Sequence, residues 1–203
     1  MRIFFKKINW KILFLMLFYI LAFLLLLRSS YSYLDPDLGW HLKTGEEIVL
    51  NKDVPRENFY NYTFTGSWVD HEWLSDWASF KVYSNFGYLS LSLIFSLIIV
   101  FSLIILYFFT CRFFSKISFT ALLSLQLLGL FASLPSFGVR MQEFGVLFLL
   151  LELLIISAFY YQKRIKLLFF LIPLFYLWSC IHGSFLLGFA LLFFFFIFSL
   201  LFL

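Results

Sequence analysis

Apolar residues occur in long blocks along the chain, and the polar residues are concentrated between those blocks. The blocks fall at residues 8–28, 88–110, 117–134, 144–161, 167–181 and 185–203. A helix that crosses the hydrocarbon core of a bilayer needs about 20 mainly apolar residues. The pattern therefore predicts an all-α polytopic membrane protein, built as a single membrane domain with about six transmembrane helices. The third and fifth blocks are short, which predicts spans that are tilted, broken or only partly inserted.

One polar segment, residues 29–87, is much longer than a usual connection between helices, and long loops of this kind are commonly functional. Apolar positions recur in it at helical spacing, which predicts two short amphipathic helices that lie at the membrane surface. The predicted apolar faces consist of Leu38, Leu42, Gly45 and Val49 in the first helix and of Trp73, Trp77 and Phe80 in the second. Asp70 is suited to begin the second helix, and Gly87 is suited to end it.

Positive charges predict how the chain is oriented in the membrane. They lie at Arg2, Lys6, Lys7 and Lys11 before the first span, at Arg112 and Lys116 after the second, and at Lys163, Arg164 and Lys166 after the fourth. With six spans, all three clusters fall on one side, which the positive-inside rule makes the cytoplasm. The N-terminus is then cytoplasmic. Residues 29–87, which carry nine of the eleven acidic residues, are then extracytoplasmic.

The composition excludes several classes of protein. Of the 203 residues, 63% are hydrophobic and 13% are charged, which is too little polar surface for a soluble domain of this length. The formal net charge of +4 comes from the clusters that set the topology, and no basic patch with interleaved aromatic residues indicates nucleic-acid binding. Cys111 and Cys180 fall on opposite sides of the membrane in this topology, so we do not expect them to pair.

One acidic residue, Glu152, falls in the middle of the fourth predicted span. A carboxylate within a membrane is costly and is seldom without a role. Two explanations stay open at this point: the side chain is protonated, or it pairs with Gln126 or another polar side chain.

The strongest candidate chemistry lies directly after the first span, in LDPDLGWHLKTG at residues 34–45. In one interpretation the stretch only begins a helix, because Asp35 can cap it, Pro36 suits its first turn and Asp37 complements its dipole. In the other, Asp37 and His41 share a helix face, and Asp35 and Asp37 could hold a divalent cation such as Mg²⁺ or Mn²⁺ through oxygen ligands. Both interpretations stay open. The stretch lies where a lipid-linked phosphate would present itself.

Recognisable motifs occur in several segments of the chain. YLDPDLGWHLKTGEEIV follows the first span, and VPRENFYNYTFTGSWVDHEWLSDW leads into the second. RMQ follows at residues 140–142, and LWSCIHGSFLLG follows at residues 177–188. Together these segments resemble bacterial GT-C-type membrane glycosyltransferases, which use polyprenyl-phosphate-linked sugars as donors. The resemblance covers most of residues 30–190, and its most specific part is the first loop.

The resemblance implies an inverting transfer of a sugar from a polyprenyl-phosphate-linked donor to an acceptor on the extracytoplasmic face. It implies Asp35 and Asp37 as the catalytic residues, acting as a base or as ligands of a divalent metal. The residues implied in substrate binding are His41, His71, Glu72, Arg140, Gln142 and His182. Arg140 would contact the phosphate, because a planar guanidinium can make two parallel hydrogen bonds to it. The expected location is the bacterial inner membrane, among membrane lipids.

Two other functions stay open. The protein could be a binding or transport subunit that holds a lipid-linked sugar without catalysis, or it could be an inactive remnant of an enzyme. Proteins of the GT-C type usually have more spans than are predicted here. We therefore expect residues 1–203 to correspond to the N-terminal part of such an enzyme, a truncated reading frame, or one piece of a split protein that works with a partner subunit.

Overall fold

The structure is a computed structural model that describes residues 9–57, 60, 62–63, 66–114 and 116–202. Three of the basic residues that orient the chain, Arg2, Lys6 and Lys7, lie outside the described residues. The first residue of the first predicted span and the last residue of the sixth also lie outside them.

The described part of the chain is built from α-helices. They are α1 (Trp10–Ser32), α2 (Leu38–Asn51), α3 (Trp73–Phe86), α4 (Tyr88–Phe113), α5 (Phe119–Ser133), α6 (Gln142–Gln162), α7 (Leu171–Ile181) and α8 (Phe185–Phe202). Short 3₁₀ turns follow α5 and precede α7. An isolated β-bridge joins Glu57 and Ser67 between α2 and α3, and the described residues form no longer strand. The prediction of an all-α architecture is confirmed for these residues.

Four helices are long and apolar enough to cross a membrane: α1, α4, α5 with its following turn, and α6. They confirm the prediction of a helical membrane protein. The last two apolar segments, Ile165–Ile181 and Phe185–Leu201, are shorter than these four. Because a span needs about 20 residues, the number of six spans stays a prediction.

Helix α1 extends further at its C-terminal end than the apolar pattern predicts. The pattern places the end of the first span at residue 28, whereas the helix continues to Ser32. The additional turn is polar, and its first residue, Ser29, is bonded to a distant part of the fold. Ser29 Oγ donates hydrogen bonds to the backbone oxygens of Leu134 (2.6 Å) and Phe137 (3.2 Å). Hydropathy thus indicates where the apolar segment ends. The helix itself continues for one more turn, which is held by the hydrogen bonds of Ser29.

The long helices run in alternating directions. At one end of the bundle, the rings of Trp10 and Phe119 are 6.0 Å apart, so α1 and α5 begin side by side. The rings of Phe113 and Tyr161 are 5.5 Å apart, so α4 and α6 end near each other. At the other end, Tyr88 at the start of α4 donates its hydroxyl to the backbone oxygen of Ser30 at the end of α1 (2.8 Å). We call this second end, where α2 and α3 also lie, the loop end.

Apolar side chains fill the spaces between the helices. One buried cluster joins α1, α4 and α5 through Ala22, Leu26, Val100 and Leu130, together with Phe137. Another joins α6 to α7 through Phe148, Leu174 and Trp178. A third, at the loop end, joins α2 and α4 to the connection before α6 through Leu38, Leu91, Phe95, Val139 and Met141. The third cluster fixes the segment that carries Arg140 against the start of α2.

Helices α2 and α3 pack against each other partly through the predicted faces, since Gly45 meets Phe80, and partly through residues that the apolar pattern did not indicate. The buried positions are Leu38, His41, Thr44, Gly45 and Ile48 in α2 and Ser75, Asp76 and Ser79 in α3. Trp77, predicted in the apolar face of α3, is 41% exposed. Polar residues can line the interior here because they find partners: Ser75 Oγ, for example, contacts the backbone oxygen of Ile181 at 2.8 Å.

Gly45 sets the spacing between α2 and α3. A Cβ at this position would collide with the backbone oxygen of Asp76 and would lie 2.6 Å from Cβ of Phe80. Backbone atoms cannot rotate away, so we expect Gly45→Ala to push the helices apart and to lower the free energy of unfolding by about 1–3 kcal/mol. The measurement is thermal unfolding of the purified protein in detergent.

The matched control for this prediction is Gly39→Ala, in the same helix. A Cβ at Gly39 meets nothing within 4 Å, so the better helix propensity of alanine should leave stability unchanged or raise it by up to about 1 kcal/mol. If both variants unfold at the same temperature, close approach at Gly45 does not limit the packing of the two helices.

Glu152 is wholly buried in α6, and Gln126 is not its partner. Gln126 instead donates to the backbone oxygen of Leu103 (2.8 Å) and accepts from the hydroxyl of Tyr19 (3.2 Å). Neither carboxylate oxygen of Glu152 has a hydrogen-bond partner among the described residues. Of the two explanations that the sequence left open, the pairing of Glu152 with Gln126 is therefore wrong, and protonation of Glu152 stays a prediction.

Candidate functional site

The predicted site residues meet at the loop end of the bundle. A cavity of about 180 Å³ there is lined by Asp35, Asp37, Trp40, His41, Glu72, Val139, Arg140, Met141, Gln142 and His182. These residues come from the start of α2, the start of α3, the connection before α6 and the connection after α7. Of the residues predicted to act in catalysis or substrate binding, only His71 does not line the cavity. It lies next to it, with Nε2 3.3 Å from Glu72 Oε1.

Asp35 and Arg140 form an ion pair across the cavity. The carboxylate is 5% exposed, and its Oδ2 accepts a hydrogen bond from Arg140 Nε. Arg140 Nη2 contacts the hydroxyl of Tyr33 at 3.4 Å, and the guanidinium lies over the Tyr33 ring. The hydrogen bond to Asp35 raises the pKa of Arg140, so the guanidinium stays positively charged. A guanidinium has five N–H donors, so Arg140 retains donors for a further ligand in the cavity.

The start of α2 differs from the helix cap predicted for Asp35. The helix begins at Leu38, and its N-cap residue is Asp37, whose side chain makes no capping hydrogen bond. Asp35 instead accepts the backbone N–H of Asp37 at 2.9 Å and closes the turn before the helix. The turn and the ion pair use different oxygens of one carboxylate, so a role in starting the helix does not account for the contact with Arg140.

The start of α3 is built in the same way. Asp70 Oδ1 accepts the backbone N–H of Glu72 at 3.0 Å, and Glu72 is the N-cap residue of the helix. Burial raises the pKa of Asp70, and the bond from the Glu72 N–H opposes that change. Asp70 therefore closes the turn before α3 and is not the N-cap residue, so the predicted cap differs from the structure in the same way as at Asp35. Gly87 ends the helix with φ of 75°, as predicted.

All three histidines of the chain converge on one carboxylate, that of Glu72. The Nε2 atom of His41 lies 3.7 Å from Glu72 Oε2, and the Nε2 atom of His182 lies 3.6 Å from Glu72 Oε1. His71 approaches the same Oε1 atom from the exposed side. Burial lowers the pKa of His182, while the charge of Glu72 acts in the opposite direction. Glu72 itself is only 8% exposed and joins the three rings.

Asp76 belongs to this cluster and was not predicted from the sequence. Its side chain is wholly buried in α3, and its Oδ1 lies 2.6 Å from His41 Nδ1. Burial raises the pKa of Asp76 to about 7, although the hydrogen bond with His41 acts to lower it. One signal in the sequence could have indicated this residue. Ser75, Asp76 and Ser79 form a polar stripe at helical spacing, beside the aromatic residues that dominate the pattern of α3.

A cation between Asp35 and Asp37 finds little support in this arrangement. Both oxygens of Asp35 already accept hydrogen bonds, from Arg140 and from the Asp37 backbone, and Asp37 is exposed. Among the described residues, the group that brings three ligand atoms within 4.8 Å of one another is His41, Glu72 and Asp76. The cation at Asp35 and Asp37 stays a prediction.

Gln142 and Arg140 owe their positions to the connection between α5 and α6. The segment is held to the end of α1 by Ser29 and is buried at Phe137 and Val139. Gln142 is the first residue of α6 and is exposed at the cavity. The chain matches no family model, no curated protein and no solved structure.

Proposed function

We propose that this chain is a membrane glycosyltransferase-like protein of the GT-C type. It transfers a sugar from a polyprenyl-phosphate-linked donor to an acceptor on the extracytoplasmic face. The observation that carries the proposal is the pairing of Asp35 with Arg140 in a polar cavity at one end of an apolar bundle. A carboxylate that can act as a base and a cation that can bind phosphate meet where a lipid headgroup would lie.

The ion pair suggests how donor binding and base activation are linked. In the ion pair, Asp35 Oδ2 accepts a hydrogen bond from Arg140, so this oxygen is occupied by the guanidinium. The donor phosphate competes for the guanidinium of Arg140. When Arg140 turns to the phosphate, Asp35 Oδ2 becomes free to accept a proton from the acceptor.

Asp35 and Arg140 together account for the proton that is removed and for the charge that leaves in the transfer. The acceptor hydroxyl or amine gives its proton to Asp35 and attacks the anomeric carbon of the sugar from the side opposite the phosphate. A new bond to that carbon forms while its bond to the phosphate oxygen breaks, and the bonding electrons leave with the polyprenyl phosphate. The positive charge of Arg140 stabilises the negative charge that develops on the leaving phosphate.

The other polar residues of the cavity are suited to hold a sugar. His41, Glu72, Gln142 and His182 offer both hydrogen-bond donors and acceptors, which is what several neighbouring hydroxyl groups require. Trp40 adds an aromatic face beside them. We assign these residues to the sugar, whereas Arg140 is assigned to the phosphate.

The proposal includes six spans with the loop end outside the cytoplasm. The basic residues Lys11, Arg112, Lys163 and Arg164 lie at or beyond the opposite ends of their helices and are exposed there, as the positive-inside rule requires of the cytoplasmic side. The two shorter segments can span a bilayer that thins locally around them.

The orientation predicts which side chains a membrane-impermeant thiol reagent can reach. Ser67 is exposed in the segment between α2 and α3, and Cys111 is exposed near the far end of α4. We expect Ser67→Cys to be labelled in intact cells and Cys111 to be labelled only after the cells are permeabilised. Labelling of Ser67→Cys only in opened cells would place the loop end in the cytoplasm and would contradict the proposed reaction.

The proposed activity is tested with a short-chain polyprenyl-phosphate sugar added to vesicles from cells that express the chain. We expect release of polyprenyl phosphate above the level of matched vesicles without the protein, together with transfer of the sugar to an acceptor. Donor binding without release would favour the binding or transport subunit. The absence of both binding and release would contradict the proposal.

A further inference from the structure

Three buried carboxyl groups lie together beside the cavity. Asp70, Glu72 and Asp76 are 6%, 8% and 0% exposed, and they lie within electrostatic reach of one another and of His41. The nearby cation, Arg140, is paired with Asp35. Buried carboxylates are tolerated when they are paired, neutralised by protons or bound to metal ions.

The positions of three of these side chains match what a metal ion requires. One ligand atom from each of His41, Glu72 and Asp76 lies within 4.8 Å of the other two. Ligands that are about 2.0–2.2 Å from a tetrahedral zinc ion lie roughly 3.4 Å from each other. Rotations of the side chains that move these atoms by about an ångström would therefore bring all three to one ion.

A second feature points to a ligand in the same place. Asp76 Oδ2 has no hydrogen-bond partner among the described residues, although its side chain is wholly buried. Leaving a buried polar atom unsatisfied is costly, so such atoms are rare in folded proteins and call for an explanation. A metal ion bound within the cluster would give this carboxylate a counter-charge and would supply its second oxygen with a partner.

We propose that His41, Glu72 and Asp76 bind a divalent transition metal ion of the zinc type. The donor set of one imidazole and two carboxylates favours Zn²⁺ or Mn²⁺ over Mg²⁺ and Ca²⁺, which prefer oxygen ligands alone. Three protein ligands leave a fourth position open on a tetrahedral ion. His182, whose Nε2 lies 3.6 Å from Glu72, is the neighbouring nitrogen that can occupy or border that position.

This site differs from a cation held by Asp35 and Asp37. It shares His41 and Glu72 with the residues assigned to the sugar, so with the ion bound these two side chains would reach the sugar through the ion, while metal binding itself does not depend on sugar transfer. It uses the inner faces of α2 and α3, which the helix packing at Gly45 brings together. Because metal binding can be measured directly, failure of the metal site and failure of the proposed reaction are separate results.

The experiment uses the full chain, purified in detergent and freed of metal with a chelator. Titration with zinc chloride should show one equivalent bound, with manganese weaker and magnesium weakest, and zinc should raise the unfolding temperature. We expect His41→Ala to lose this binding. Glu72→Gln and Asp76→Asn should weaken it at least tenfold, and their similar shape guards against a result due only to misfolding. Glu46→Gln, which changes an exposed carboxylate of α2, is the matched control and should bind zinc as the parent does.

Three outcomes would overturn the proposal. The first is a parent protein that binds no zinc, which would mean that protons alone balance the cluster. The second is equal zinc binding by the parent and by folded His41→Ala and Asp76→Asn. The third is loss of binding in Asp37→Asn but not in His41→Ala, which would move the ion to the Asp35 and Asp37 pair.

Discussion

Asp35→Asn should reduce sugar transfer by about 10²–10⁴-fold, because a general base contributes a factor of that size. Asparagine keeps a side-chain oxygen for the backbone N–H of Asp37, so the turn before α2 should still form. It cannot accept the proton of the acceptor group. The measurement is the initial rate of polyprenyl-phosphate release, normalised to the amount of folded protein.

Comparison with Asp35→Ala separates the role of Asp35 as a base from its role in the turn before α2. It loses both the proton acceptor and the bond to the Asp37 N–H, and loss of such a bond at a helix start costs about 1 kcal/mol. We expect both variants to lack transfer. Both lose the charge that pairs with Arg140, but only the alanine variant also loses the bond to the Asp37 N–H, so its unfolding temperature should be the lower of the two. Transfer by Asp35→Asn at the rate of the parent would show that Asp35 serves only the turn and the ion pair. Asp37 and His41 would then be the next pair to test.

The helical membrane class could be predicted from the sequence because its cause is local. A block of about 20 apolar residues is stable in a bilayer only as a helix, whose backbone groups bond one another. The end of α1 could not be predicted in this way. Its last turn is polar and is held by Ser29, which bonds to a segment more than a hundred residues later in the chain.

The faces of α2 and α3 show a second limit of periodicity. Apolar spacing identified Trp77 as part of a face, but the buried face of α3 contains Asp76 and two serines. A buried carboxylate is costly unless a partner is present, and its partner, His41, lies on the preceding helix. The polar stripe of Ser75, Asp76 and Ser79 could have indicated a polar face in the sequence, but that His41 is the partner of Asp76 could be found only from the structure.

The contact between Asp35 and Arg140 could not be predicted from the spacing of residues within a helix. Composition and spacing say nothing about a contact between residues so far apart in the chain. The resemblance to GT-C-type proteins indicated both residues, and the structure brings them into one ion pair. The approach of His41 and His182 to Glu72 likewise depends on how distant segments pack, whereas His71 is the neighbour of Glu72 in the sequence.

Arg140→Ala should weaken binding of a polyprenyl-phosphate sugar by roughly 10–150-fold, since a hydrogen bond to a charged group is worth about 1.5–3 kcal/mol. Arg140→Lys keeps the charge but loses the planar pair of donors, so its affinity should fall between those of the parent and the alanine variant. Arg56→Ala, which removes an exposed arginine of the same loop end, is the matched control. The measurement is the dissociation constant of a short-chain donor in detergent.

The ion pair makes a double variant the decisive form of this experiment. Arg140→Ala alone leaves Asp35, which is 5% exposed, without its counter-charge, so weaker binding could follow from a disturbed fold. Adding Asp35→Asn removes the unpaired charge and should restore the unfolding temperature of the protein. If Arg140 contacts the phosphate, the double variant should still bind the donor as poorly as Arg140→Ala. Recovery of donor binding together with stability would show that Arg140 only balances the charge of Asp35, and the phosphate contact would have to be sought elsewhere in the cavity.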